Sequence, residues 1–184
     1  MDQGWQSTHI AGVLRRKLVP HEDERGVLRE AWRASWAADL GIGPVIQAND
    51  TVTRAGALRG MHLHLRQTDV WVVISGNGHA GLADVRPLLA GEKLDRPNTL
   101  SLELTDGDCL VIPTGVGHGL WALTDVTLLY IVTVEYDGTD EHGFAWNDPM
   151  VALAWPGATP ILSERDRSAP LLSEAVNRLG ADPA

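Results

Sequence analysis

The sequence predicts an all-β fold, a sandwich or jelly roll of short strands with a short helix toward each end. Three observations carry this. Six segments of 5 to 11 residues are rich in β-branched or aromatic side chains. Turn signals separate them, and helix-period patterns are confined to the two ends. The strands are read in "VWVVIS" (70–75), "GHAGLADV" (78–85), "TLSLELT" (99–105), "DCLVIP" (108–113), "GLWAL" (119–123) and "VTLLYIVTVEY" (126–136). Between them lie "SGNG", "TDG", "PTG" and "LTD", where glycine, proline and aspartate turn the chain. "LREAWRASWAADLG" (28–41) has apolar residues at helical spacing and a closing glycine, and "LLSEAVNRLG" (171–180) repeats that pattern.

With 184 residues, 44% of them hydrophobic and 21% charged, the chain is expected to form one domain over 1–184. Its core is placed at about 46–150, with an N-terminal arm (1–45) and a proline-rich C-terminal wrap (151–184). The net charge of -9 and pI near 5.1 exclude nucleic acid as a partner, because phosphates select a basic surface. An anionic small ligand is compatible, since a few local arginines suffice. Cys109 is the single cysteine, so no internal disulfide forms; its apolar setting reads as a buried small residue. No signal peptide and no membrane-length apolar run are seen, so a cytoplasmic protein is expected.

The chemistry sits in two histidine segments. In "RGMHLHLRQTD" (59–69), His62 and His64 are two apart and so face the same side of a strand. Asp69 follows, then Gly76; the second segment runs Gly107, Pro113, Gly115, His118. Both resemble the paired motifs of cupins, double-stranded β-helix jelly rolls whose motif histidines converge inside the barrel. His62, His64, Asp69 and His118 would suit a divalent transition metal, because imidazole and carboxylate are ligands such ions accept. Against this, a histidine on a strand is usually a hydrogen-bonded filler, the reading given to His9, His21, His79 and His142.

Across residues 10–172, "VPHEDERGVLRE", "IQANDTVTRAGALRGMHLH", "LADVRP", "LVIPTGVGHGLWAL", "YIVTVEYDGTDEHGFAWNDP" and "AWPGATPILSERDRSAP" occur in order. Together they resemble the dTDP-4-dehydrorhamnose 3,5-epimerase family. The resemblance implies a homodimeric cupin without metal or organic cofactor. It implies epimerisation of a nucleotide-linked 4-keto-6-deoxy sugar beside its ketone. It further implies His62 as base, Asp166 as the carboxylate that orients it, and Tyr136 as acid on the opposite face. Arg25, Glu30, Gln47, Asn49, Arg59, His118 and Arg165 become substrate contacts, Arg59 first for a diphosphate. Each has a plainer reading: Arg25 and Glu30 as turn and helix charges, Asn49 as a turn former, Tyr136 as core packing, Asp166 as a helix cap.

The chain departs from the resemblance at Asp69, where the family usually has lysine, at His64, where glutamine is common, and at His21, where many members carry an aromatic residue. The first two exchange non-ligands for metal ligands. Three functions follow: a keto-sugar epimerase, a metal-dependent cupin of other chemistry, or a non-catalytic module that binds a nucleotide sugar.

Overall fold

The structure, a computed structural model, describes residues 4–181. In chain order the elements are β1 (Gln6–Ser7), β2 (Leu14–Lys17), β3 (His21–Asp23), β4 (Gly26–Leu28), α1 (Ala34–Leu40), β5 (Gln47–Thr53), β6 (Leu58–Leu63), β7 (Asp69–Ser75) and β8 (Gly78–Asp84). They continue with α2 (Arg86–Leu89), β9 (Asn98–Leu104), β10 (Asp108–Ile112), β11 (Val116–Ala122), β12 (Val126–Val132), β13 (His142–Gly143), α3 (Glu164–Arg167) and α4 (Leu172–Ala181). One antiparallel sheet runs β1-β2-β10-β7-β12-β5, the other β13-β6-β11-β8-β9, and β3–β4 is a separate hairpin. This is the expected jelly roll.

Strand alternation sorts the side chains into three apolar layers. On β7, Trp71 and Val73 point between the sheets, and Val70 and Val72 point outward. On β10, Leu110 and Ile112 face inward and Cys109 and Val111 outward. The outward set of the first sheet is covered by Trp36 of α1. The outer face of the second sheet, with Met61, Leu63 and Ala83, is covered by Leu172 and Ala175 of α4. Both faces of each sheet are therefore covered over part of their area, and β11 is buried at every residue. Cys109 is buried as expected, and burial pushes its thiol up to about 12.

Two expectations shift. The first helix starts at Ala34 rather than at 28, because residues 26–28 pair as β4 and the chain stays extended as far as Arg33. The last long strand stops at Val132, leaving Tyr136 in the following loop. The N-terminal arm contributes strands: β2 pairs with β10 and extends the first sheet. No helix among the described residues is long and apolar enough to cross a membrane.

Candidate active site

The space between the sheets is apolar at one end and polar at the other. The polar end is a cavity of about 470 Å³, within the range of small-ligand sites. Period-two alternation builds most of its wall. Gln47, Asn49 and Thr51 line it from β5, Asp69 and Trp71 from β7, and Leu128, Tyr130 and Val132 from β12. The second sheet supplies Arg59, His62 and His118, with His64 just past the end of β6.

Arg59 and His62 are three apart, so simple alternation would put them on opposite faces. The ladder shows why both reach the cavity. Arg59 lies opposite Leu120 and His62 opposite His118, so Gly60 and Met61 together face Gly119 alone. This β-bulge adds one residue and re-aims the strand. Gly60 is required at that point: it has φ +138°, and a Cβ there would lie 2.5 Å from Gly119 Cα.

His62 is held from behind. Its Nε2 lies 2.9 Å from Asp166 Oδ1, a residue of α3. Asp166 is buried, whereas the His62 side chain keeps 26% of its surface exposed toward the cavity. Burial alone would raise the Asp166 carboxyl; hydrogen bonds from His62 and Ser163 outweigh it and hold the group below the usual carboxylate range. Ser163 is the residue that caps α3, accepting from the Asp166 amide at 3.1 Å, so Asp166 is free to serve His62.

His64, Asp69 and His118 form a second, deeper group. All three are buried, and one ligand atom from each lies within 4.8 Å of the others. His64 Nδ1 donates to Asp140 O at 2.6 Å, and His118 Nδ1 donates to Val116 O at 3.0 Å. Asp69 Oδ1 accepts from Gln67 Nε2 at 2.7 Å. Burial pushes the Asp69 carboxyl up and the His118 imidazole well down, both toward the neutral form. His62 falls outside this group, which corrects the four-ligand expectation. Its Nε2 is committed to Asp166, and its ring centroid lies 6.3 Å from that of His118.

The cavity thus brings together Gln47, Asn49, Arg59, His62, His64, Asp69, His118, Tyr136 and Arg165, with Asp166 behind His62. Asn49 is a mid-strand residue whose Oδ1 accepts from Gln47 Nε2, not a turn former. Arg25 and Glu30 are not brought in. Arg25 sits at the β3–β4 turn, 85% exposed and paired with Asp23, and Glu30 pairs with Arg33 at the surface. Their positions answer to local ion pairs, which an ordered motif match does not reveal.

Three site residues escaped the sequence reading. Tyr130 lines the cavity half-buried, and burial followed by the Asp69 charge raises its phenol. Its signal was available: it is two residues from both Leu128 and Val132 on the inward face of β12. Glu141 binds Arg165 at 2.5 Å across the mouth. Asp140 is buried and accepts the amides of Leu65, Arg66 and Gln67, fixing the loop between His64 and Asp69.

The family model for dTDP-4-dehydrorhamnose 3,5-epimerase matches residues 7–174. The chain is 34% identical over 182 residues to a dTDP-4-dehydrorhamnose 3,5-epimerase of Streptomyces griseus, covering 92% of this chain and 86% of the relative. It is 32% identical over 184 residues to a dTDP-4-dehydro-6-deoxyglucose 3-epimerase of Streptomyces bikiniensis, covering 95% and 91%. Among solved structures it is similar to the Legionella pneumophila 3,5-epimerase in complex with dTDP-4-keto-L-rhamnose. That match has TM-score 0.84, 26% identity and 95% coverage of each chain.

Proposed function

Because the chain belongs to the dTDP-4-dehydrorhamnose 3,5-epimerase family, we propose that this cavity epimerises a dTDP-linked 4-keto-6-deoxy sugar at carbon 3, carbon 5 or both. The observation that carries this reading is the His62–Asp166 pair in the cavity wall. Asp166 accepts the proton on His62 Nε2, which leaves the lone pair on Nδ1 to take a proton from substrate. The buried carboxylate also stabilises the imidazolium that results.

The step balances simply. The C–H proton beside the ketone goes to His62, its electron pair forms the C=C bond, and the carbonyl π pair moves to oxygen. A donor on the opposite face then returns a proton to carbon, inverting the centre. Two phenols reach the cavity. Tyr136, the expected donor, is 68% exposed at the rim, with its amide bound to Gln47 Oε1. Tyr130 lies deeper and packs against the apolar core. Burial raises its phenol above the ordinary value, and we assign the donor role to Tyr130 and a binding role to Tyr136.

Arg59 and Arg165 suit the diphosphate. Arg59 Nε donates to Thr53 Oγ1 at 2.8 Å, which fixes its guanidinium at the mouth while leaving donors toward the ligand. Gln47 and Asn49, which line the cavity, are assigned to the sugar hydroxyls. Arg25 and Glu30 belong to this scheme only through a second copy. The β3–β4 hairpin is exposed at every residue, including Val27 and Leu28, and a homodimer would cover that apolar surface. With one cysteine and no internal disulfide, the chain fits the cytoplasmic setting expected of it.

The test is solvent exchange. In heavy water with dTDP-4-keto-6-deoxyglucose, deuterium should enter carbon 3 or carbon 5, followed by NMR, and His62→Ala should stop it. Binding without exchange would leave only the nucleotide-sugar-binding module.

A further inference from the structure

We propose that His64, Asp69 and His118 form a binding site for one divalent transition-metal ion, beside the His62–Asp166 pair and separate from it. The argument rests on which nitrogen of each imidazole holds the proton. A backbone carbonyl only accepts, so His64 Nδ1 facing Asp140 O and His118 Nδ1 facing Val116 O must both carry hydrogen. In the neutral rings, Nε2 therefore presents a bare lone pair. His118 Nε2 lies 3.6 Å from Asp69 Oδ2, a carboxylate oxygen that is also an acceptor.

Ligand atoms of the three residues converge within 4.8 Å in a buried space, where a proton or a metal ion between them relieves the contact of acceptor on acceptor. No arginine or lysine supplies a positive charge there among the described residues. Arg59 is bonded to Thr53 and Arg165 to Glu141, and the group nearest the Asp69 carboxyl on this side is the His118 imidazole. The hydrogen-bond donors that reach the Asp69 carboxyl, Gln67 and Trp71, are both neutral.

Two imidazoles and one carboxylate form a three-point donor set used for divalent iron and related ions, with remaining positions open. Here the open side is the substrate cavity. The surroundings match what metal-bound histidines require, a hydrogen bond on the far nitrogen that fixes the ring. The Asp140 carboxylate holds the 65–67 loop, and so holds Asp140 O against His64. A ligand span of 4.8 Å or less closes to bonding distances of about 2.1 Å by small side-chain rotations.

Because Asp166 occupies His62 Nε2, the base and the ion do not compete for one ring. An ion at this site would face the ketone oxygen as it gains negative charge, acting as a Lewis acid. That second part rests on the epimerase reading.

The experiment uses the full chain, stripped with EDTA and titrated with Co²⁺. Wild type and His62→Gln should bind one Co²⁺ per chain, giving a visible d–d spectrum and a raised Tm. His64→Gln and Asp69→Asn should bind more weakly by about 10-fold or more and lose the Tm rise. Asp69→Asn keeps the size and shape of the buried side chain and should stay folded, so its loss of uptake reports ligation. Absent Co²⁺ uptake by wild type, undiminished uptake by both variants, or loss of uptake in His62→Gln would overturn the site. Deuterium exchange into the sugar is then compared with and without metal. Faster exchange with Co²⁺ supports the Lewis-acid role, and equal rates remove it while leaving the epimerase intact. Exchange in neither state sinks the epimerase reading and leaves the ion site standing.

Discussion

His62 and Asp166 lie 104 residues apart in the chain, yet His62 Nε2 sits 2.9 Å from Asp166 Oδ1. The histidine comes from β6 of the second sheet and the carboxylate from a four-residue helix. In the proposed reaction one is the base and the other determines which nitrogen carries its proton.

His62→Ala should lower the rate of solvent exchange by about 10²–10⁴-fold, the usual share of a general base. Asp166→Asn should give a smaller loss, because the imidazole keeps its place but loses the anion that stabilises its charged form. Mass spectrometry of sugar recovered from heavy water reads both. An Asp166→Asn enzyme with full activity would separate the two residues functionally.

The same pair makes an acid-stability prediction. The folded state holds the Asp166 carboxyl below its ordinary value, so the unfolded chain binds its proton first as pH falls. The stabilisation is complete above the unfolded carboxyl pKa of about 4 and is lost as pH falls through the lower folded value. Thermal unfolding from about pH 7 down to about pH 2.5 should show that loss in wild type. Asp166→Asn should show a shallower acid limb.

The two phenols divide by depth. Tyr130→Phe should allow proton removal yet suppress inversion by about 10²-fold or more. Tyr136→Phe should act mainly on KM. Exchange and inversion measured on one sample distinguish them; the reverse pattern would return the donor role to Tyr136.

Gly60→Ala places a methyl 2.5 Å from Gly119 Cα at φ +138°. We expect a loss of about 2 kcal/mol or more in urea unfolding. The bulge it disturbs aims Arg59 and His62 together, so activity should fall even where folding survives.

Much of this was legible before any coordinates. Continuous apolar runs in 70–75, 108–113 and 126–132 give strands buried on both faces, because successive side chains point to opposite sides and both sides are covered. His62 and His64 share a side for the same geometric reason. The departures at His64 and Asp69 were visible as changes of residue type.

Tertiary structure decided the rest, because it depends on distance rather than order. A bulge at Gly60, not alternation, turns Arg59 into the cavity. The pairing with Asp166 sets His62 apart from the group of His64, Asp69 and His118. Backbone carbonyls of Asp140 and Val116 fix the remaining imidazoles beside Asp69, and no spacing rule encodes which nitrogen a carbonyl will meet. Arg25 and Glu30 matched the motif in order and stayed on the surface, since a motif records sequence neighbours and a pocket records contacts across a fold.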